Sequence, residues 1–146
     1  MNAGTEWLVD ADGCPAELLR NIDPVRRLCE EIIRDLGLRV VAEPMWHQFP
    51  QPGGVTGLYL LTESHLACHT FPETGLVTFN LYCCRPRPRF AWEARLRVLL
   101  AANRVTVRSA ERGAETISDR VSLESDHPSF EAKTPELTSA QEVSGQ

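Results

Sequence analysis

The sequence predicts an α+β fold, a two-layer sandwich of an antiparallel β-sheet with two helices packed on one face. Three observations predict it. Apolar and polar residues alternate along several short stretches, as half-buried strands require. Two other stretches repeat apolar residues at steps of three and four, as amphipathic helices do. The elements follow the order strand, helix, three or four strands, helix, strand, so most strands stand in a run suited to hairpin pairing. At 146 residues, 42% hydrophobic and 24% charged, the chain has the material for one modest domain with its own core.

Taken in order, residues 5–9 form a first strand, ended by the turn composition of Asp10, Ala11, Asp12 and Gly13. Asp23 and Pro24 start a helix, Asp as cap and Pro at the first helical position. Val25, Leu28, Ile32 and Leu36 give that helix its apolar stripe, Arg26 and Arg27 face Glu30 and Glu31 outside, and Gly37 stops it. Residues 38–41 and 45–49 predict a second strand bent at Pro44. Pro50, Pro52, Gly53 and Gly54 break the chain before a third strand over 55–61. A fourth spans 64–70, turns over 72–75 and returns as a fifth over 76–82. Arg85, Arg87 and Arg89 alternate with prolines in a connector, which is either a solvated link or a contact for an anionic ligand. Trp92, Leu96, Leu99 and Leu100 mark a second helix ending near Asn103, and 105–107 a last short strand. From residue 117 the sequence is polar and patternless, so the domain is expected over 1–116 and a disordered tail over 117–146, with His127 inert within it.

The net charge of −5 argues against general binding to nucleic acid. No run approaches the roughly 18 apolar residues of a membrane span, and the N-terminus lacks the basic start and apolar core of a secretory signal. Five cysteines in no zinc-like spacing are expected to be reduced thiols, which points to the cytoplasm.

Reactive residues concentrate in LTESHLACHTFPE, residues 61–73, with Cys83 and Cys84 shortly after. The stretch holds Glu63 directly before Ser64, then His65 and His69. Glu63-Ser64-His65, then His69-Thr70-Phe71-Pro72-Glu73, then a cysteine twenty positions after the serine, resemble the self-processing core of the prokaryotic type of S-adenosylmethionine decarboxylase. The resemblance extends upstream to WLVDADGCP (7–15) and GGVTG (53–57), and downstream to about Gly113. Several motifs in one order and spacing make it specific.

Decarboxylating an amino acid requires an electron sink for the carbanion left behind, which ordinary side chains lack. Lys133 is the chain's one lysine and sits in the tail, so a lysine-bound pyridoxal cofactor is nearly excluded. A ketone made from the chain would serve instead. The resemblance implies that Ser64 is its source. The Ser64 hydroxyl would attack the Glu63 carbonyl at the cleavage site, and elimination and hydrolysis would leave a pyruvoyl group that forms a Schiff base with substrate. The resemblance gives His69 the role of processing base, Thr56 that of oxyanion donor and Cys84 that of proton donor. A thiol suits the last role, since an ordinary pKa of about 8.5 keeps it mostly protonated. Strand alternation places His69 on the face opposite Ser64, so a bulge or the turn near Thr70 would be needed to bring them together. Glu73, Phe49 and Phe71 are the substrate-binding candidates, although Glu73 also suits a turn cap. His65 reads equally as structural, and Cys14 and Cys68 as core. Of the adjacent Cys83 and Cys84, position favours Cys84 for the proton-donor role, and Cys84 reads otherwise as a buried hydrophobe.

The sequence departs from the family pattern at Phe71, Asn80 and Arg85, where tryptophan, aspartate and glycine are common, and residues 50–54 run one residue longer. The implied function is decarboxylation of S-adenosylmethionine for spermidine synthesis, by a homo-oligomer of cleaved protomers that needs no metal, nucleic acid or membrane. Arginine or ornithine as substrate, an uncleaved regulatory homologue, and a metal-binding module of His65, His69, Cys83 and Cys84 stand as alternatives.

Overall fold

In the computed structural model, which describes residues 3–113, side-chain alternation sets the architecture. The elements are β1 (Gly4–Asp12), α1 (Ala16–Leu19), α2 (Ile22–Asp35), β2 (Met45–Gln48), β3 (Val55–Leu61), β4 (Ser64–Phe71), β5 (Leu76–Cys83), α3 (Trp92–Leu100) and β6 (Arg104–Arg112). The strands form one sheet in the order β2-β3-β4-β5-β1-β6, every neighbouring pair antiparallel. One face takes Val9 and Ala11, Tyr59 and Leu61, Leu66 and Cys68, and Val77, Phe79 and Leu81 into the core. Against it α2 lays Val25, Leu28, Cys29 and Ile32, and α3 lays Trp92, Leu96 and Leu100. Each fully buried Val, Leu, Ile or Phe contributes about 1.5–3 kcal/mol, so this layer holds the sheet flat against the helices. The expected α+β two-layer sandwich is what forms.

Alternation leaves the second face open. Leu8, Met45, Leu58, Leu60 and Phe71 are exposed there with His65 and His69.

The differences from expectation have local causes. Helix α2 starts one residue before Asp23, and Asn21 caps it by accepting the Asp23 amide N–H. At its end Gly37 adopts φ +62°, a left-handed conformation open to glycine, and the Leu38 N–H closes on the Ile33 carbonyl. Pro44 confines β2 to four residues, and the expected pairing over 38–41 shrinks to one bridge between Val40 and Leu61. Helix α1 is a single turn behind Pro15, too short to show a period. Strand β6 runs on well past the expected 105–107 start, paired with β1 along all nine of its residues. Arg104, Arg108 and Arg112 pair with Asp12, Asp10 and Glu6 of β1. The tail expected from residue 117, and His127, lie outside the described residues. Among those residues no helix is long and apolar enough to cross a membrane.

Candidate active site

The β3–β4 hairpin turns through Thr62 and Glu63 and delivers Ser64 as the first residue of β4, opposite Leu61 on one side and Cys83 on the other. The Ser64 Oγ is enclosed and makes no hydrogen bond to oxygen or nitrogen; the group it acts on is the Cys83 thiol. Cys83 shares its side of the sheet. Burial pushes the Cys83 thiol up, with Arg87 and the Ser64 hydroxyl acting against that shift. The carbonyl of Glu63, one bond from Ser64, accepts the Cys84 backbone N–H at 3.0 Å. A donor at that position polarises the carbonyl and stabilises negative charge on its oxygen.

Two arginines hold the Glu63 side chain. Arg85 Nη2 lies 2.7 Å from Oε1 and Arg87 Nη2 3.8 Å from Oε2. Arg87 also donates to the carbonyls of Leu36 and Gly37 at the end of α2, both at 3.4 Å. A cavity of about 320 Å³ opens here, lined among others by Arg39, Glu63, Ser64, Arg85 and Arg87. Larger concavities, about 790 Å³ beside α3 and about 940 Å³ around Trp46, do not include Ser64.

The remaining candidates gather at the other end of the sheet. His69 lies opposite Thr56, with its Nδ1 2.8 Å from the Thr56 Oγ1. The ladder from Ser64 to Phe71 is unbroken, with no bulge. His69 is therefore on the open face, five residues from Ser64, or about 17 Å at the rise of a strand. Phe71 shares that face, and Glu73 is exposed in the turn beyond it. Phe49 is half-exposed just past β2, edge-on to His47 at 4.5 Å. Cys84, exposed, follows Cys83 at the Ser64 end. The site residues thus fall into two groups, Glu63, Ser64 and Cys84 at one end and Thr56, His69, Phe71, Glu73 and Phe49 at the other.

His65 is satisfied on the open face. Its Nε2 lies 3.2 Å from Asn80 Oδ1, and its ring stacks on Tyr82. Asn80 in turn donates to Glu6, whose carboxyl Asn80 and Arg112 hold below the usual range. Among the described residues no group of three or more His, Cys, Asp or Glu is gathered to hold a metal ion. The two features sequence reasoning missed are the Cys84 N–H and Arg87. A backbone donor leaves no trace in residue type, whereas the alternating arginines after Cys84 were a visible signal.

The sequence model of a family described as S-adenosylmethionine decarboxylase matches residues 5–113. The S-adenosylmethionine decarboxylase proenzyme of Picrophilus torridus is 33% identical over 118 residues, 80% of this chain and 88% of that protein. The proenzyme of the same name from Persephonella marina is 35% identical over 112 residues, 75% of this chain and 82% of that one. The crystal structure of the adenosylmethionine decarboxylase from Aquifex aeolicus superposes with a TM-score of 0.65 at 30% identity, covering 80% of this chain and 95% of that one.

Proposed function

The chain belongs to the S-adenosylmethionine decarboxylase family, and from that membership we propose that it is a proenzyme that cuts itself between Glu63 and Ser64 and then decarboxylates S-adenosylmethionine. The product would be the aminopropyl donor for spermidine synthesis. One observation supports the self-processing: an enclosed Ser64 hydroxyl, bonded to no oxygen or nitrogen, beside a Glu63 carbonyl that accepts the Cys84 N–H.

Self-cleavage proceeds in two steps. The Ser64 Oγ bonds to the Glu63 carbonyl carbon and the bond to the Ser64 nitrogen breaks, the nitrogen taking a proton, so the amide becomes an ester. A base then removes the Ser64 α-proton, and the Cβ–Oγ bond breaks with its electron pair leaving on the Glu63 carboxylate. The resulting dehydroalanine tautomerises to an imine, and water adds to it and releases its nitrogen as ammonia, leaving a pyruvoyl group at residue 64. That ketone supplies the electron sink the side chains lack. Ser64 fits its formation, since its hydroxyl is tied to no oxygen or nitrogen that would hold it from the Glu63 carbonyl. Cys84 returns a proton to the substrate α-carbon. A thiol in that role must stay reduced, which suits the cytoplasm.

Thr56 and His69 bear on Ser64 from a second copy in this reading. His69 stands about 17 Å from Ser64 along β4, Thr56 lies beside His69 on β3, and the exposed apolar residues of the open face supply a surface for pairing. Two sheets joined about a two-fold axis would lay the far end of each over the near end of the other. Phe49, Phe71 and Glu73 would then hold substrate beside the partner's cleavage site.

Arginine and ornithine are not favoured, because the relatives named above are S-adenosylmethionine enzymes. The test is release of labelled carbon dioxide from carboxyl-labelled S-adenosylmethionine, arginine and ornithine. Turnover of S-adenosylmethionine alone supports the assignment. Turnover of either other substrate at a higher kcat/KM would replace it.

A further inference from the structure

The two halves of self-cleavage differ in charge. The acyl shift converts a neutral amide into a neutral ester, with a proton moving onto the amine. The elimination then puts a full negative charge on the main-chain carboxylate of Glu63, a residue whose side chain already carries one. Whatever receives that second charge must lie beside Glu63 before the reaction starts.

We propose that Arg87, assisted by Arg85, is the positioning residue for the elimination step, stabilising the Glu63 carboxylate as it leaves. This rests on the self-processing reading above. The cavity beside the Glu63 to Ser64 bond is lined by three guanidinium groups, Arg39, Arg85 and Arg87, and by one carboxylate, that of Glu63. Positive charge is in excess there in the uncut chain, and the carboxylate born on cleavage offsets it. Arg87 is the better placed of the pair. Its side chain is 22% exposed against 70% for Arg85, so solvent screens it less. Its Nε is enclosed and bonds to no oxygen, and its charge also acts on the Cys83 thiol. Its Nη1 is braced against the Leu36 and Gly37 carbonyls, which fixes the fork facing Glu63. A guanidinium presents five donors in a planar array and can serve two carboxylates of one residue at once. The Glu63 carbonyl meanwhile accepts the Cys84 N–H, a donor suited to the oxyanion of the first step. The two steps therefore have different stabilisers: a backbone amide for the acyl shift and the arginines for the elimination.

The experiment compares full-length wild type, Arg87→Met, Arg87→Lys, Arg85→Ala and Ser64→Ala, made by rapid cell-free synthesis. Each is followed by denaturing intact mass with and without hydroxylamine, which cuts esters and leaves amides whole. Arg87→Met is expected to release fragments roughly tenfold more slowly while a hydroxylamine-sensitive ester accumulates. Arg87→Lys should restore most of the rate, and Arg85→Ala should show a smaller delay with the same ester. Fragment release at the wild-type rate, or a folded Arg87→Met stalled as a hydroxylamine-resistant amide, would overturn the proposal. If Arg87→Met does not fold, Arg87→Gln takes its place, with the same expected ester and the same refuting results. A wild type that never cleaves sinks the self-processing reading itself. Cleavage of wild type and variants alike sinks this inference alone.

Discussion

Thr70 sits inside the histidine-to-glutamate motif that marks the family, yet its contacts are structural. It is buried at 5% exposure, and its hydroxyl accepts the Val55 N–H at 2.8 Å and donates to the Leu19 carbonyl at 2.7 Å. One oxygen thereby ties β4 to the start of β3 and to the last residue of α1. Thr70→Val keeps the shape and removes the oxygen, leaving a buried N–H and a buried C=O without partners. Each unpaired buried group costs about 1–3 kcal/mol, and carbonyls tolerate it better than amides, so a loss of about 3 kcal/mol is expected in total. The domain should still fold, since typical stabilities are about 5–15 kcal/mol. With a urea slope of about 1–3 kcal/mol per molar, the midpoint should fall by about 1–3 M. Thr70→Ser keeps the oxygen and loses one methyl, at about 0.8 kcal/mol. The predicted order of midpoints is wild type, Ser, Val. Strand propensity and hydrophobicity predict the reverse for Val and Ser. A Thr70→Val midpoint at or above that of Thr70→Ser would refute the reasoning.

Glu31, buried on α2, accepts from Arg95 of α3 and from Arg27. The Arg95 guanidinium holds its carboxyl below the ordinary 4.5. A carboxyl lowered on folding contributes stability that is present above its ordinary value and lost as pH falls through the folded one. Glu31→Gln should therefore cost about 1–2 kcal/mol at neutral pH, with the gap to wild type closing in melts below about pH 4. A gap that stays constant to pH 3 would count against the bridge. Cys84→Ala keeps the backbone N–H, so it should cleave like wild type and lose about 100-fold or more in carbon dioxide release. Cys84→Pro removes that donor, and cleavage itself should slow by about 100-fold; equal cleavage of the two variants would contradict the role given to the amide. Co-assembling Ser64→Ala with His69→Ala chains should restore cleavage of the His69→Ala chain, read by intact mass. No cleavage in the mixture would contradict action of His69 from a second copy.

Much of this molecule is legible in its sequence where a residue's environment is periodic. The stripe of Val25, Leu28 and Ile32 and the alternation through β3, β4 and β5 identify the two layers because one face of each element had to be apolar. The same alternation places His69 opposite Ser64, and the unbroken ladder keeps it there. Legibility fails where pairing partners are distant in the chain. Strand β6 carries little apolar alternation, and its length follows from pairing with β1, whose carboxylates meet its arginines about 90 to 106 residues away. The cleavage site was readable as a motif but not as a geometry. That Cys83 rather than Cys84 shares the Ser64 side, while the Cys84 amide meets the Glu63 carbonyl, follows from the β4–β5 register. Arg87 looked like part of a solvated connector because its partners, Glu63 and the end of α2, come together only in the fold.

The central claim is that Ser64 cuts the chain, and denaturing intact mass of purified wild type beside Ser64→Ala tests it most directly. Wild type is expected to resolve into residues 1–63 and 64–146, the second lacking a free amine at its start, while Ser64→Ala stays whole. Wild type that stays whole after long incubation, or a second fragment beginning with an ordinary serine amine, would contradict it.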